Sequence, residues 1–197
     1  METLKVLSPY DEGCIGELNL VGAAEIETML STAHSLFSDR SCWLPKRDRL
    51  SILRKAAELI RERREPLAVQ AASEGGKPLF DSLVEIDRAA DGVECCVEEI
   101  RTSAGNVIPM QIDRNSSAKV AFTQYEPIGV VAAVSAFNHP FNLIVHQVTP
   151  AIAVGCPVIV KPADITPLSC FAFVNILYEA GLPKEWCQIV VPQDLEV

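Results

Sequence analysis

Positive charge is in short supply in this chain. Seventeen Lys and Arg face 26 Asp and Glu, a net charge of −9, and a field of that sign repels phosphate backbones and anionic lipid headgroups. No nucleic-acid partner and no membrane partner is therefore expected. Also missing is any long unbroken apolar run. The most apolar stretch, 128–160, is interrupted by Asn138, His139, Pro140, Asn142, His146, Gln147 and Pro150, too often for a membrane span. The opening Met1-Glu2-Thr3-Leu4-Lys5-Val6 lacks the basic-then-apolar order of a secretory signal. Metal-ligand patterns are absent as well. The seven cysteines, Cys14, Cys42, Cys95, Cys96, Cys156, Cys170 and Cys187, include no C-x-x-C pair, and only three histidines could join them. Reduced thiols, no metal site and a cytoplasmic location are the expectation.

What is present is enough apolar material, 49% of 197 residues, to bury a sizeable core. Ile26, Met29, Leu30, Ala33, Leu36 and Phe37 recur at helical spacing across 23–37, predicting an amphipathic helix. A second helix follows Pro45, with Leu50, Leu53, Ala57 and Ile60 inward and Arg54, Lys55, Glu58, Arg61, Glu62, Arg63 and Arg64 as a solvated face. A third opens at Pro66 and stops at Gly75-Gly76-Lys77-Pro78. Leu83, Ile86, Ala90, Val93, Val97 and Ile100 predict a fourth, to about Ser103. The first hundred residues thus read as predominantly helical. Val107–Ile112 and Lys119–Tyr125 then predict a hairpin about the polar turn 113–117.

From Ile128 the pattern becomes β-α-β-α-β. A continuous apolar run from Ile128 to Ala136 predicts a parallel strand buried on both faces. A helix to about Val154 ends at Gly155, and a strand follows over Pro157–Val160. Thr166 is placed to cap and Pro167 to open a helix that stops at Gly181, and Gln188–Val191 supplies a third strand. The fold class is α/β, one half of a doubly wound, Rossmann-like parallel sheet preceded by helices and a β-hairpin arm. Three segments are expected: a helical part over 1–106, the hairpin over 107–126, and the βαβαβ half over 127–197.

Ligands of open parallel sheets bind beyond the carboxyl ends of the strands. Those ends carry Ser135-Ala136-Phe137-Asn138 and Lys161-Pro162-Ala163-Asp164. A cation and a carboxylate three residues apart can donate to and accept from the vicinal hydroxyls of a ribose. A lysine leaving a strand for solvent is also commonplace, and neither strand is followed by G-x-G-x-x-G.

The ordered motifs Glu126-Pro127-Ile128-Gly129-Val130-Val131, Phe137-Asn138-His139-Pro140-Phe141, Pro150-Ala151 with Gly155-Cys156, Lys161-Pro162-Ala163-Asp164-x-Thr166-Pro167 and Ala180-Gly181-Leu182-Pro183 resemble the aldehyde dehydrogenase superfamily in its N-terminal, cofactor-binding portion. Glu74-Gly75-Gly76-Lys77-Pro78 resembles its E-x-G-K-P segment, and the hairpin sits where the family has its oligomerisation arm.

The resemblance implies that Asn138 is catalytic, its amide helping to form the oxyanion hole; the alternative is that Asn138 caps the following helix. It implies that Lys161 and Asp164 bind the adenosine ribose of NAD, with NADP as the second option, and that Val134, Ser135, Ala136 and Phe137 lie along the cofactor. His139, Asn142, Leu143 and His146 could line the aldehyde channel or pack against neighbouring helices. Phe137 stands where many members have Trp, Ala136 where many have Pro, and Asp164 where Glu is more usual. None of the seven cysteines sits in the family's nucleophile motif, so the nucleophile and the general base are expected beyond Val197. The implied activity is oxidation of an aldehyde or semialdehyde to a carboxylic acid through a covalent thioester, by a parent homodimer or homotetramer. The 197-residue fragment alone is expected to be inactive, and the alternative is a truncated, non-catalytic homologue serving as a nucleotide-binding or assembly module.

Overall fold

The computed structural model of the protein describes residues 2–193. It opens with an element the helical reading of the first hundred residues missed. Thr3–Leu7 (β1) and Cys14–Asn19 (β2) form an antiparallel hairpin with Leu4 opposite Leu18. Of these two strands only Val6 is buried, so the apolar alternation that betrays a strand is weak here. Polar local bonds hold the turn instead, among them Gly13 N–H to the Asp11 carboxylate at 3.2 Å.

Four helices follow close to their predicted bounds: α1 (Ala23–Ser38), α2 (Lys46–Glu62), α3 (Arg64–Gly75) and α4 (Leu79–Thr102). The buried face of α4, Ile86, Ala89, Ala90, Val93, Val97 and Ile100, joins Leu53, Ala57 and Ile60 of α2 in the main core. The basic residues that run from the end of α2 into α3 are exposed but mostly matched. Arg61 pairs with Asp91 and Glu94, Arg63 with Glu179 and Arg64 with Asp87, which cancels them as a free cationic patch.

The predicted hairpin arm is present but pairs over only two residues per strand. In β3 (Val107–Ile108) and β4 (Ala121–Phe122), Val107 lies opposite Phe122. Val107, Ile112, Val120, Phe122 and Tyr125 are all exposed. Without a surface beneath it, a two-stranded ribbon has little to extend its ladder. Gly105 is obligatory at its base, because a Cβ there would meet the Thr123 carbonyl oxygen at 1.5 Å.

Val131–Val134 (β5), Val158–Lys161 (β6) and Cys187–Ile189 (β7) form a parallel sheet in the order β5-β6-β7. Helices α5 (Pro140–Val154) and α6 (Leu168–Glu179) make the crossovers. Val158 and Val160 face the main core, while Ile159 meets Ala33 of α1 and Val190 on the other side. The run 128–136 was expected to be buried on both faces. Instead β5 is shorter and Ala132 and Val134 are exposed, because β5 is an edge strand whose outer face is open among the described residues.

Two buried carboxylates, neither anticipated, bind this sheet to the N-terminal helices. Glu74, near the end of α3, accepts from Leu168 N–H at 2.7 Å and Ser169 N–H at 2.8 Å, the first amides of α6. Glu85, inside α4, accepts from Phe141 N–H at 2.8 Å and Asn142 N–H at 2.9 Å at the start of α5. Helix N-termini leave their first amides unpaired and carry positive potential. Here that need is met across the domain interior. Thr166, expected to cap α6, instead donates its hydroxyl to the Phe137 carbonyl at 3.3 Å.

Burial pushes the Glu74 carboxyl above its ordinary range, against the opposing pull of the amides it accepts from. A carboxyl raised in the folded state binds protons there that the unfolded chain has released, so its ionisation costs stability as pH rises from the ordinary value through the folded one. Glu74→Gln removes that titration. Its stability relative to the parent should therefore improve as pH climbs through this window and then level off. Urea unfolding of both proteins at several pH values between 4 and 8 measures it; a constant difference would show that Glu74 does not titrate upward.

Candidate active site at the ends of the parallel strands

The carboxyl ends of β5 and β6 lie side by side. Val134 pairs with Lys161, and the ladder runs one bond further, Ser135 N–H to the Lys161 carbonyl at 2.9 Å. Gln147 of α5 braces the same end by donating to the Val134 carbonyl at 2.9 Å. Ser135 is buried, its hydroxyl donating to the Ala136 carbonyl at 3.3 Å. Ala136 is half-buried, whereas the Val134 and Phe137 side chains are 61% and 60% exposed. Beyond the sheet, the segment thus offers apolar side chains on an anchored backbone.

Lys161 and Asp164 form an ion pair at 2.5 Å, with the lysine stem largely covered and the carboxylate half exposed. A pair this accessible is worth about 1 kcal/mol or less. A ligand diol that satisfies both ends can therefore open it at small cost. This donor set, one ammonium and one carboxylate beside exposed apolar side chains, fits the adenosine half of a nicotinamide dinucleotide.

Asn138 is exposed, and its side-chain amide has no hydrogen-bond partner among the described residues. It does not cap α5. His139 occupies the cap position without a side-chain bond, and Glu85 supplies the acceptor. A cleft of about 490 Å³ separates Asn138 and His139 from Phe80, Asp81, Val84 and Arg88 of α4. Of the other residues expected to line an aldehyde channel, Asn142 is buried with its Oδ1 unpaired, Leu143 is half-buried and His146 is exposed. No thiol lines this cleft. Burial pushes Cys187 up to about 12 and Cys96 to about 11, and raises Cys170 as well, the opposite of an activated nucleophile. No group of three or more metal-ligating side chains comes together among the described residues, and no described helix is long and apolar enough to cross a membrane.

The sequence reading gave no role to Lys77 or Glu85. Lys77 Nζ pairs with the Glu85 carboxylate, donates to the Asn138 carbonyl at 3.4 Å and lies 3.5 Å from His139 Nδ1. The signal for Lys77 was its place in the Glu74–Pro78 motif. Glu85 gave none beyond being a carboxylate next to Ile86 on the inward face of a helix.

Residues 1–197 match the model of the aldehyde dehydrogenase family. The chain belongs to the aldehyde dehydrogenase family. Among other aldehyde dehydrogenases, it is 32% identical over 196 residues to a 3-sulfolactaldehyde dehydrogenase of Priestia aryabhattai, an alignment covering 100% of this chain and 40% of that protein. Its fold matches aldehyde dehydrogenase 21 of Physcomitrella patens in complex with the reaction product succinate, with TM-score 0.91, 30% identity, and coverage of 99% of this chain and 40% of that one. It also matches a glyceraldehyde-3-phosphate dehydrogenase of Methanocaldococcus jannaschii complexed with NADP, with TM-score 0.88, 28% identity, and coverage of 98% and 41%. This aldehyde dehydrogenase chain therefore spans about 40% of the length of these relatives.

Lys77 reaches its place because Gly76 ends α3 in the left-handed conformation, φ +64°. A Cβ at Gly76 would also meet Pro9 Cγ at 2.7 Å. Left-handed backbone costs an L-residue about 1–2 kcal/mol before any clash. Gly76→Ala should accordingly lower unfolding free energy by at least about 1 kcal/mol, as measured by chemical denaturation. A variant as stable as the parent would show that this turn is not constrained.

Proposed function

We propose that the chain is the N-terminal part of an NAD(P)-dependent aldehyde dehydrogenase that oxidises a short anionic aldehyde to the carboxylic acid. The observation that carries this reading is the register of β5 and β6. It brings the Asn138 loop and the Lys161–Asp164 pair out side by side at the carboxyl ends of the strands, so that an extended ligand can touch both. Lys161 and Asp164 hold the adenosine ribose. Val134, Ala136 and Phe137 bear on the cofactor, with Ser135 buried as the hinge that fixes the segment's direction. A bound nicotinamide dinucleotide supplies the hydride acceptor.

Asn138 donates its amide to the aldehyde oxygen as that oxygen gains negative charge under thiolate attack. The thiolate and the general base come from the part of the parent enzyme that the relatives possess beyond this length. Support for an anionic substrate comes from the relatives, one named for 3-sulfolactaldehyde and one holding succinate. The apolar side of the hairpin, Val107, Val120 and Phe122, is the surface that a second subunit would cover in a homodimer or homotetramer.

In the full-length enzyme, Asn138→Ala should lower kcat by roughly 10²–10³-fold, the usual loss for one oxyanion donor, and leave cofactor Kd nearly unchanged. Steady-state kinetics together with cofactor titration measures both, and an unaltered kcat would remove Asn138 from the reaction.

Cofactor choice should lean towards NAD. An ionised Asp164 accepts from a ribose hydroxyl and repels a 2′-phosphate, by about 1–3 kcal/mol or roughly ten- to a hundred-fold. Lys161 beside it attracts the same phosphate, so NADP is disfavoured without being shut out. Asp164→Ser should raise kcat/KM for NADP relative to NAD. A parent that already prefers NADP, or a substitution without effect on the ratio, would take this role away from Asp164.

A further inference from the structure

The Asn138 loop is held by one carboxylate–ammonium pair that acts on both of its ends. Glu85 divides its two oxygens. Oε1 accepts from the amides of Phe141 and Asn142 at 2.8 and 2.9 Å, and Oε2 pairs with Lys77 Nζ. Lys77 Nζ then donates to the carbonyl oxygen of Asn138 itself at 3.4 Å. Residues 138 to 142 are thus closed into a ring through Glu85 and Lys77, with the exposed Asn138 side-chain amide left without a partner among the described residues. Glu85 is fully buried and Lys77 is 15% exposed, so water does little to loosen the pair. His139 Nδ1 lies 3.5 Å from Nζ and 3.7 Å from Glu85 Oε2, and on the α6 side Thr166 pins the preceding Phe137 carbonyl.

We propose that Lys77, anchored by Glu85, is the positioning residue that sets the Asn138 amide for the reacting oxygen. The inference rests on the oxyanion role proposed for Asn138. An oxyanion donor acts only within a few tenths of an ångström of its place, and misplacement of about 1 Å can cost on the order of 10²-fold in rate. A backbone carbonyl held by a largely covered ammonium fixes the peptide next to the Cα from which the amide projects. Lys77 itself touches no substrate in this scheme, and its effect passes wholly through Asn138.

The test is a double-mutant cycle in the full-length enzyme with Lys77→Met, Asn138→Ala and both together, read as kcat, KM and cofactor Kd. Lys77→Met should lower kcat by about 10- to 100-fold and leave cofactor Kd unchanged. On the Asn138→Ala background it should lower kcat no further. Losses that multiply in the double variant would overturn the proposal, and so would a normal kcat in Lys77→Met. Should Lys77→Met fail to fold with Glu85 left unpaired, Lys77→Arg carries the same cycle. It keeps the charge against Glu85 but sets a larger planar group under the loop, so kcat should fall on the parent background and not on Asn138→Ala. The two readings fail separately. An Asn138→Ala variant with normal kcat removes the oxyanion role, whereas a large Asn138→Ala effect with an independent Lys77 effect removes only the coupling.

Discussion

The arrangement depends first on two carboxylates buried where carboxylates are costly to bury. Glu74 and Glu85 are 3% and 1% exposed, and each accepts two amides from the first turn of a helix that belongs to a different part of the chain. An ionised carboxylate in such a place is tolerated only when its lone pairs are used and positive potential faces it. Both conditions are met by the amides and the helix ends. The consequence reaches beyond stability. Helices α5 and α6 start immediately after the loops that carry Asn138 and Asp164, so whatever fixes these helix starts also fixes the loops.

Rigidity is graded along the site as a result. The Asn138 loop is tied through Lys77 and Glu85, and the Phe137 carbonyl through Thr166. The Lys161–Asp164 pair, by contrast, is half open to water and cheap to rearrange. A group that must meet a developing charge gains from preorganisation, whereas a group that must admit a diol or a bulkier ribose gains from yielding. Under the function proposed, the same strand ends carry both, because the parallel register sets them side by side and the side-chain partners of each are different.

Much of the fold was legible. The four helices α1 to α4 announce themselves by apolar spacing, with Gly75-Gly76 stopping α3, and α5 and α6 follow strands short enough to read by length. The N-terminal hairpin was not legible, since only Val6 of it enters the core and polar turn bonds hold the rest. The arm was over-read in length for a related reason: alternation in Lys119–Tyr125 indicates a face, and a face with nothing beneath it does not extend a ladder. At the candidate site, Asn138, Lys161 and Asp164 stand out in the sequence because strand ends and family motifs mark them. Lys77 and Glu85 were missed as a pair because they lie eight positions apart across a helix start, and a buried glutamate beside Ile86 looks in sequence like any other point on a helix.

The buried and surface carboxylates also titrate in opposite senses. Arginine partners hold Asp87, Glu94 and Glu179 below the ordinary carboxylate range, while burial holds Glu74 above it. As pH falls, Glu74 therefore takes its proton before the ion pairs that knit α2, α4 and α6 across the surface lose theirs. A protonated carboxyl keeps fewer acceptor positions for the amides of Leu168 and Ser169. Acid is thus felt first at the start of α6, just past Asp164 and Thr166, while the Arg61, Arg63 and Arg64 pairs are still intact. The carboxylate that burial holds above its ordinary range thus sits at the helix start that follows the loop carrying Asp164.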